Sequence, residues 1–436
     1  MNITNAEYRA RQHQLLAQMK HNSVALIPAA KEITRSRDTE FPFRQDSDFF
    51  YLTGFNEPDA MLVLVKGEEQ KSILYCRAKD KTAEIWHGRR MGADAAKEQL
   101  PIDDAYTLAE LDQGLIDAVN QKTTLYYGQG VYKDVDDQVF ALLNTLRGAP
   151  KKGYRAPEVI RDIRTLVHEM RLFKSPAEQE IMRQAGKISA DAHKRAMRFA
   201  KAGATEYQLE AELHHHYAMN GARYPAYGTI VGSGDNATIL HYTENESPLK
   251  DGDLVLIDSG CELAGYAADI TRTFPVNGKF SDAQKAVYNV VLKAQYAALD
   301  MVKPGNTLAQ TAKVVNRILT QGLIDLGLLE GELDELLESQ AYRAFYMHGL
   351  GHWLGLDVHD VGEYKQDEKD RPFEPGMVLT IEPGLYISED APVAEQYRGI
   401  GIRIEDDVLV TENGHENLTV SVPKEVAEIE ALMQES

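Results

Sequence analysis

Hydrophobic positions recur along the chain with two periods, and their alternation sets the expected elements. Residues 1–20 space their apolar side chains as an amphipathic helix. SVALIPA at 23–29 and FFYLTGF at 49–55 read as strands. AMLVLV at 60–65 and SILYCR at 72–77, separated by the turn-rich KGEEQK, read as a hairpin. Helical spacing returns in AELDQGLIDAV at 109–119 and VDDQVFALLNTL at 135–146. Strands alternating with helices predict an α/β domain. The intervening TRSRDTEFPFRQDSD reads as a solvated loop with no chemistry of its own.

A second pattern begins at FKSPAEQE, where Ser175 is a good N-cap, Pro176 suits the first helical position and Glu178 completes a capping box. The expected domains are therefore 1–172 and 173–436. Ile181, Ala185, Ile188 and Ala192 form one apolar stripe, EYQLEAELHHHYAMNG predicts a helix ending at Gly221, and two longer helices follow SDAQ and NTLAQ. Between and after them lie the strand runs DLVLIDSG, YAADITRTF, MVLTIEP and IGIRIEDDVLV, and a short helix closes the chain after Pro423. Helices grouped around short strand pairs predict an α+β domain.

Those strand runs carry charges that apolar strands rarely hold. Asp258 ends LVLID, Asp269 sits in AADITRTF, Glu382 precedes a Pro-Gly turn and Glu405 lies in IGIRIEDD. An acidic side chain among apolar neighbours is costly unless it is paired or binds a cation. Alternation places Asp269, Thr271 and Thr273 on one face, and the short CELAGY connection predicts antiparallel neighbours with facing carboxylates. One such residue could cap a turn; four in one chain would require four coincidences. His352, in a Gly-Leu-Gly turn, is the natural nitrogen donor. Four carboxylates and one imidazole make a hard, oxygen-rich set that balances two divalent cations, favours Mn²⁺ over a thiolate-type zinc site, and predicts metal-assisted hydrolysis.

Other chemistries are absent from the sequence. There is no HExxH, no GxxxxGK[ST] and no G-x-S-x-G, since VGSGDN at 231–236 lacks the first glycine. His214, His215 and His216 diverge around a helix and cannot converge on one ion, so they read as a surface or partly packed patch. Composition narrows the partners: the formal charge of −20 argues against nucleic acid and anionic membranes. No apolar run is long enough to span a bilayer, and the polar N-terminus lacks a signal-peptide core. With only Cys76 and Cys261, a disulfide framework is excluded and a cytoplasmic location is expected.

The ordered set Asp258, Asp269, His352, Glu382 and Glu405 resembles the metallopeptidases with the pita-bread fold, among them methionine aminopeptidase, prolidase and aminopeptidase P; creatinase shares the fold without metals, and the complete ligand set argues against that reading. The strings HYTENE, LVLIDSGCELAGYAADITRTFPVNGKF, MHGLGHWLGLDVHDVG, MVLTIEPGLYI and EQYRGIGIRIEDD look like the bacterial Xaa-Pro aminopeptidase (aminopeptidase P) family. DTEFPFRQDSDFFYLTGFNEPDA and AEIWHGRRMG look like that family's N-terminal domain, so the resemblance spans nearly the whole chain.

It implies an exopeptidase that releases the N-terminal residue from peptides with proline second, through a hydroxide bridging two metal ions. Asp258 would hold one metal, Asp269 and Glu405 would bridge, and His352 and Glu382 would hold the other. Glu382 would also relay the proton of the attacking water. His348 and His359 would bind substrate and the tetrahedral species, His241 would lie near the scissile bond, and Arg403 would stand beside the metals. Trp86 and Tyr386 would touch substrate, Trp86 from a neighbouring subunit of a homo-oligomer, tetramer or dimer. The rivals are a prolidase restricted to dipeptides and a non-catalytic pita-bread binding protein.

Overall fold

The Thr4 side chain accepts a hydrogen bond from the Glu7 amide and starts the first helix, α1 (Asn5–Gln18), in a computed structural model that describes residues 3–435. The chain divides into two units, one ending at Arg171 and the other beginning at Leu172.

The N-terminal unit is built on a mixed six-stranded sheet. Its strands are β1 (Ser23–Pro28), β2 (Met61–Lys66), β3 (Gln70–Cys76), β4 (Asp104–Thr107), β5 (Thr124–Tyr126) and β6 (Val159–Arg161). They lie in the order β4-β3-β2-β1-β5-β6, with the β1–β2 and β2–β3 pairs antiparallel and the rest parallel. The expected hairpin is β2–β3. The run 49–55 is a correction: Ser47–Thr53 is a helix, α2. Asp46 caps it by accepting from the Phe49 amide, and Gly54 ends it at φ +64. These two end signals outweigh the β-propensity of a short aromatic run. α3 (Leu111–Val119) and α4 (Lys133–Gly148) follow, burying Leu115, Val119, Val139 and Leu143 with Val24 and Leu26 of the sheet.

The supposed loop is a correction in part. Thr34–Ser36 and Thr39–Glu40 do form an exposed ribbon. Farther along, Gln45 is buried and bonds Ala30, Phe55 and Glu57 main-chain groups. Asp48 accepts from Arg171 at 2.7 Å and lies 3.2 Å from His168. Polar composition hid these tethers, because their partners are remote in sequence.

The C-terminal unit repeats one arrangement. α5 (Pro176–Phe199), opened by the expected Ser175–Glu178 capping box, is followed by α6 (Glu206–Met219) and a three-stranded antiparallel sheet. That sheet has the order β7-β8-β11, where β7 is Ile230–Ser233, β8 Leu254–Asp258 and β11 Thr271–Pro275. The link from β8 to β11 folds into its own ribbon, β9 (Cys261–Leu263) with β10 (Tyr266–Ala267). Then α7 (Asp282–Met301) and α8 (Leu308–Asp325) precede a second sheet of β12 (Val378–Ile381), β15 (Asp406–Thr411) and β16 (Gly414–Asn417). Here too the link from β12 to β15 forms a ribbon, β13 (Gly384–Ile387) with β14 (Ile400–Arg403). α9 (Val426–Met433) closes the chain. Both halves share one apolar core, which includes Leu213, Val255, Phe274, Val291, Leu319 and Leu379.

Two expected strands are therefore each two strands. YAADITRTF breaks at 268–270 and IGIRIEDDVLV breaks at 404–405, so Asp269 and Glu405 stand in the breaks rather than within a continuous pleat. The first break requires glycine opposite it. A Cβ on Gly260 would lie 1.7 Å from the Ala268 carbonyl oxygen. Gly260→Ala must push this backbone aside, and should cost about 1–3 kcal/mol of unfolding free energy. Gly414→Ala, which meets open space, should be near neutral in the same denaturant titration; equal effects would show that the close approach is not what demands glycine.

Candidate metal centre

In each half, the two paired strands deliver two carboxylates at the same end. Asp258 is the last residue of β8, paired in register with Thr271, and Asp269 stands two residues before β11. Glu382 follows β12 directly, and Glu405 directly precedes β15, where Ile381 pairs with Asp406. His352 comes from the loop before β12: its amide donates to Thr380 Oγ1 at 3.0 Å, and it accepts the Thr380 amide through its carbonyl. Gly351 is needed there, since a Cβ would lie 2.0 Å from the Thr380 carbonyl oxygen.

These five side chains line one cavity of about 500 Å³, together with His241, His348, His359 and Arg403. Asp269, His352 and Glu405 each offer a donor atom, all within 4.8 Å of one another. His352 Nε2 is 3.5 Å from Asp269 Oδ2 and 3.5 Å from Glu382 Oε1. Its Nδ1 lies 3.0 Å from the Trp353 carbonyl oxygen, which can only accept, so Nδ1 carries the hydrogen and Nε2 faces the carboxylates.

Support for these groups comes from residues that the sequence did not single out. The Tyr227 hydroxyl lies within hydrogen-bond reach of both Asp258 Oδ1, at 2.6 Å, and Asp269 Oδ1, and its single hydrogen serves one of them at a time. Thr271 Oγ1 donates to Glu405 Oε2 at 2.6 Å, Thr380 Oγ1 to Glu382 Oε1 at 3.1 Å, and the Asp269 amide to Asp407. Tyr227 carried no sequence signal. Asp407 did: two further acids after Glu405, in a run as apolar as IGIRIEDDVLV, mark a buried polar cluster. Arg403 donates to Asp258 Oδ2 at 2.5 Å, Thr271 Oγ1 at 2.9 Å and the Tyr386 hydroxyl at 3.0 Å. Tyr386 is buried behind the cavity wall and bonds His348 Nε2 at 2.7 Å.

His348 Nδ1 approaches Glu382 Oε2 at 3.6 Å, and the His359 ring meets that of His352 edge-on, with centroids 4.3 Å apart. His241 sits exposed at the rim. Trp86 lies in the other unit, 79% exposed on the short helix Lys81–His87. His214 is half-buried against Thr229, and His215 is exposed. Cys261 is buried with its thiol directed at the Ala185 carbonyl, and burial pushes it up to about 12.

Burial, and then the charges of Asp269, Glu382 and Asp258, raise Glu405 well above the carboxylate range. Asp269 is raised by burial and by Asp258. Glu382 is pushed up to about 7 by burial, against His352 and Arg403, with Asp269 and Asp258 adding to the rise. Burial works to lower His352, but its hydrogen bond to Asp269 and the charges of Asp269 and Glu382 lift it to about 9. His348 falls to about 4 through burial and the nearby Arg403. Carboxylates converging this closely hold protons unless cations replace them. The donor set fits divalent metal ions.

Known proteins agree with this geometry. Residues 180–412 match metallopeptidase family M24, and residues 8–126 match the aminopeptidase P N-terminal domain. The chain belongs to metallopeptidase family M24. It is 54% identical to the Xaa-Pro aminopeptidase of Escherichia coli over 433 residues, covering 99% of this chain and 98% of the relative. Human Xaa-Pro aminopeptidase 3 is 35% identical, covering 100% of this chain and 87% of the relative. The structure of zinc-substituted E. coli aminopeptidase P in complex with product superposes with a TM-score of 0.98 at 54% identity, over 100% of this chain and 99% of that one. Proline aminopeptidase P II from Yersinia pestis gives 0.98 and 54% over the whole of both chains. The C-terminal unit of this M24 chain thus has the pita-bread fold, behind an aminopeptidase P-type N-terminal domain. No described helix is long and apolar enough to cross a membrane.

A divalent ion taken up by these carboxylates would compete with their protons, which gives a testable sign. Glu382 binds its proton more tightly folded (about 7) than at its ordinary 4.5. Its contribution to metal-free stability is full below about pH 4.5 and lost as pH rises through about 7. A divalent ion replaces the proton, so the rise in Tm on adding Mn²⁺ should be larger at pH 8 than at pH 5.5. At roughly a hundred times Kd the added unfolding free energy should reach about 2.7 kcal/mol. Calorimetric scans of chelated and reloaded protein check this; a pH-independent increment would mean that these carboxylates do not take the metal.

Proposed function

We propose that this M24 chain is a Xaa-Pro aminopeptidase, a hydrolase that releases the N-terminal residue of peptides whose second residue is proline. The observation that carries the substrate reading is the 54% identity, over 99% of the chain, to a protein of that name. Asp258, Asp269, His352, Glu382 and Glu405 would hold two divalent ions. The hard, oxygen-rich donor set supports manganese. When bound, such ions supply Lewis acidity toward water and the scissile carbonyl.

The chain's own groups do the rest. Glu382, held in the cavity wall by Thr380 Oγ1, can take a proton from the attacking water and return it. Return matters, because the nitrogen of an Xaa-Pro bond has no hydrogen and must gain one to leave as an amine. His348, His359 and His241 would hold the carbonyl and the proline side of the substrate. The low affinity of His348 for protons suits it to a neutral ring, fixed by Tyr386, in that role. The free N-terminal amine would sit against the acidic cluster beside Asp258, which confines cleavage to the first bond. Arg403 would keep Asp258 and Tyr386 in place.

We extend the proposal to assembly and location. Trp86, largely exposed on its short helix, supports a homo-oligomer in which it reaches a neighbouring subunit's substrate. Two buried cysteines without a disulfide support a reducing cytoplasm.

Two assays test this reading. With Mn²⁺ restored after chelation, an Xaa-Pro-Yaa tripeptide should lose its first residue while Xaa-Ala-Yaa does not. Cleavage of only the Xaa-Pro dipeptide would make the protein a prolidase instead. Glu382→Gln should lower kcat by about 10³-fold or more while the far-UV circular dichroism stays native; normal turnover in that variant would remove Glu382 from the reaction.

A further inference from the structure

One buried carboxylate is used neither by the metal centre nor by an ion pair. Glu206, 0% exposed, is the first residue of α6. Its Oε1 accepts from the Ser233 amide at 2.8 Å, the Ser233 hydroxyl at 2.7 Å and Asn236 Nδ2 at 3.0 Å. Its Oε2 accepts from the Tyr242 hydroxyl at 2.9 Å and the Ser247 amide at 2.9 Å. Five neutral donors and a helix N-terminus hold the charge.

All five donors belong to one segment, the irregular loop 233–247, gripped at its start, in its short 3₁₀ turn, at Tyr242 and at its end. The main chain reinforces the end: the Glu206 amide donates to the Ser247 carbonyl, and Leu249 and Ala204 bond in turn. This loop supplies Leu240, His241 and Thr243 to the wall of the metal cavity. Among the described residues, no hydrogen bond restrains the His241 ring, so its place depends on the backbone that carries it. Tyr242, the residue next to it, is the one Glu206 holds.

We propose that Glu206 is a positioning residue for substrate binding, acting through His241. The proposal rests on the reading of His241 as a substrate-binding group. Glu206→Gln exchanges one acceptor oxygen for an NH₂ that faces donors, so part of the grip must open while shape and helix are kept. None of the five donors belongs to a proposed metal ligand, and Ser233 lies at the far end of β7 from Ile230, the residue that pairs with Asp258. The effect expected is therefore on KM rather than on metal affinity.

The test is a double-mutant cycle on the full-length, Mn²⁺-loaded protein with Ala-Pro-Ala as substrate. E206Q should raise KM about tenfold with kcat within about threefold of wild type, and should leave the Mn²⁺-induced rise in Tm unchanged. Tyr242→Phe, which removes one donor of five, should raise KM about two- to fivefold and serves if E206Q folds poorly. In an H241A background, either change should lower kcat/KM by less than about twofold further. If the losses instead multiply, Glu206 only supports the fold and the inference falls while the role of His241 stands. Wild-type KM in both single variants also overturns it. If H241A alone keeps wild-type kcat/KM, the substrate reading of His241 fails, and that of Glu206 with it.

Discussion

Four carboxylates brought to one cavity repel one another, and burial raises the cost of each charge. Asp258, Asp269, Glu382 and Glu405 are in that position, and much of the C-terminal unit answers the resulting strain. Each acid is delivered by the end of a short strand, where the pleat stops and the backbone can turn the side chain into the cavity. Hydroxyl donors take part of the load: Tyr227 spans Asp258 and Asp269, and Thr271 and Thr380 each hold one glutamate. Arg403 is set directly against the cluster, on Asp258. What remains uncompensated is the capacity for metal.

Behind the ligands lies a second buried electrostatic layer of a different kind. Arg272, fully buried, donates to the Thr271 and Glu405 carbonyls and to Asp406, while Asp406 also accepts from Gln295, Thr419 and Lys424. Here every charge has its partner, and the nearby cations hold Asp406 well below the carboxylate range despite its burial. Neighbours in sequence thus have opposite electrostatics. Glu405 faces acids and is pushed up, while Asp406 faces Arg272 and Lys424 and is pushed down. The two side chains go to opposite sides, Glu405 into the cavity and Asp406 toward the scaffold.

The two halves of the unit solve the same geometric problem in the same way. A helix pair buries one face of a three-stranded sheet, and the middle connection leaves the sheet as a ribbon and returns. Leaving and returning at one end is what puts two acids side by side. Gly260 permits the tight passage in the first half, and Gly351 permits the His352 loop to lie against Thr380 in the second.

Much of this was legible beforehand, because burial leaves marks on a sequence. Acids inside LVLID and IGIRIEDD announced a site, and the Ser175–Glu178 box announced the first catalytic-unit helix, since both depend on neighbours within a few residues. The aromatic run 49–55 misled because strand and helix patterns are indistinguishable over seven residues, and the caps Asp46 and Gly54 decided it. The breaks at Asp269 and Glu405 could not be read, since each exists only because a different strand pairs on either side. Tyr227, Glu206 and the partners of Asp48 stayed silent for the same reason: their meaning is a hydrogen bond to something tens of residues away. The sequence by itself determined which residues could bind metal and which segments of the chain would carry them. The tertiary structure alone decided which of them converge, because convergence is a property of strand pairing and burial between distant segments, and no local pattern encodes it.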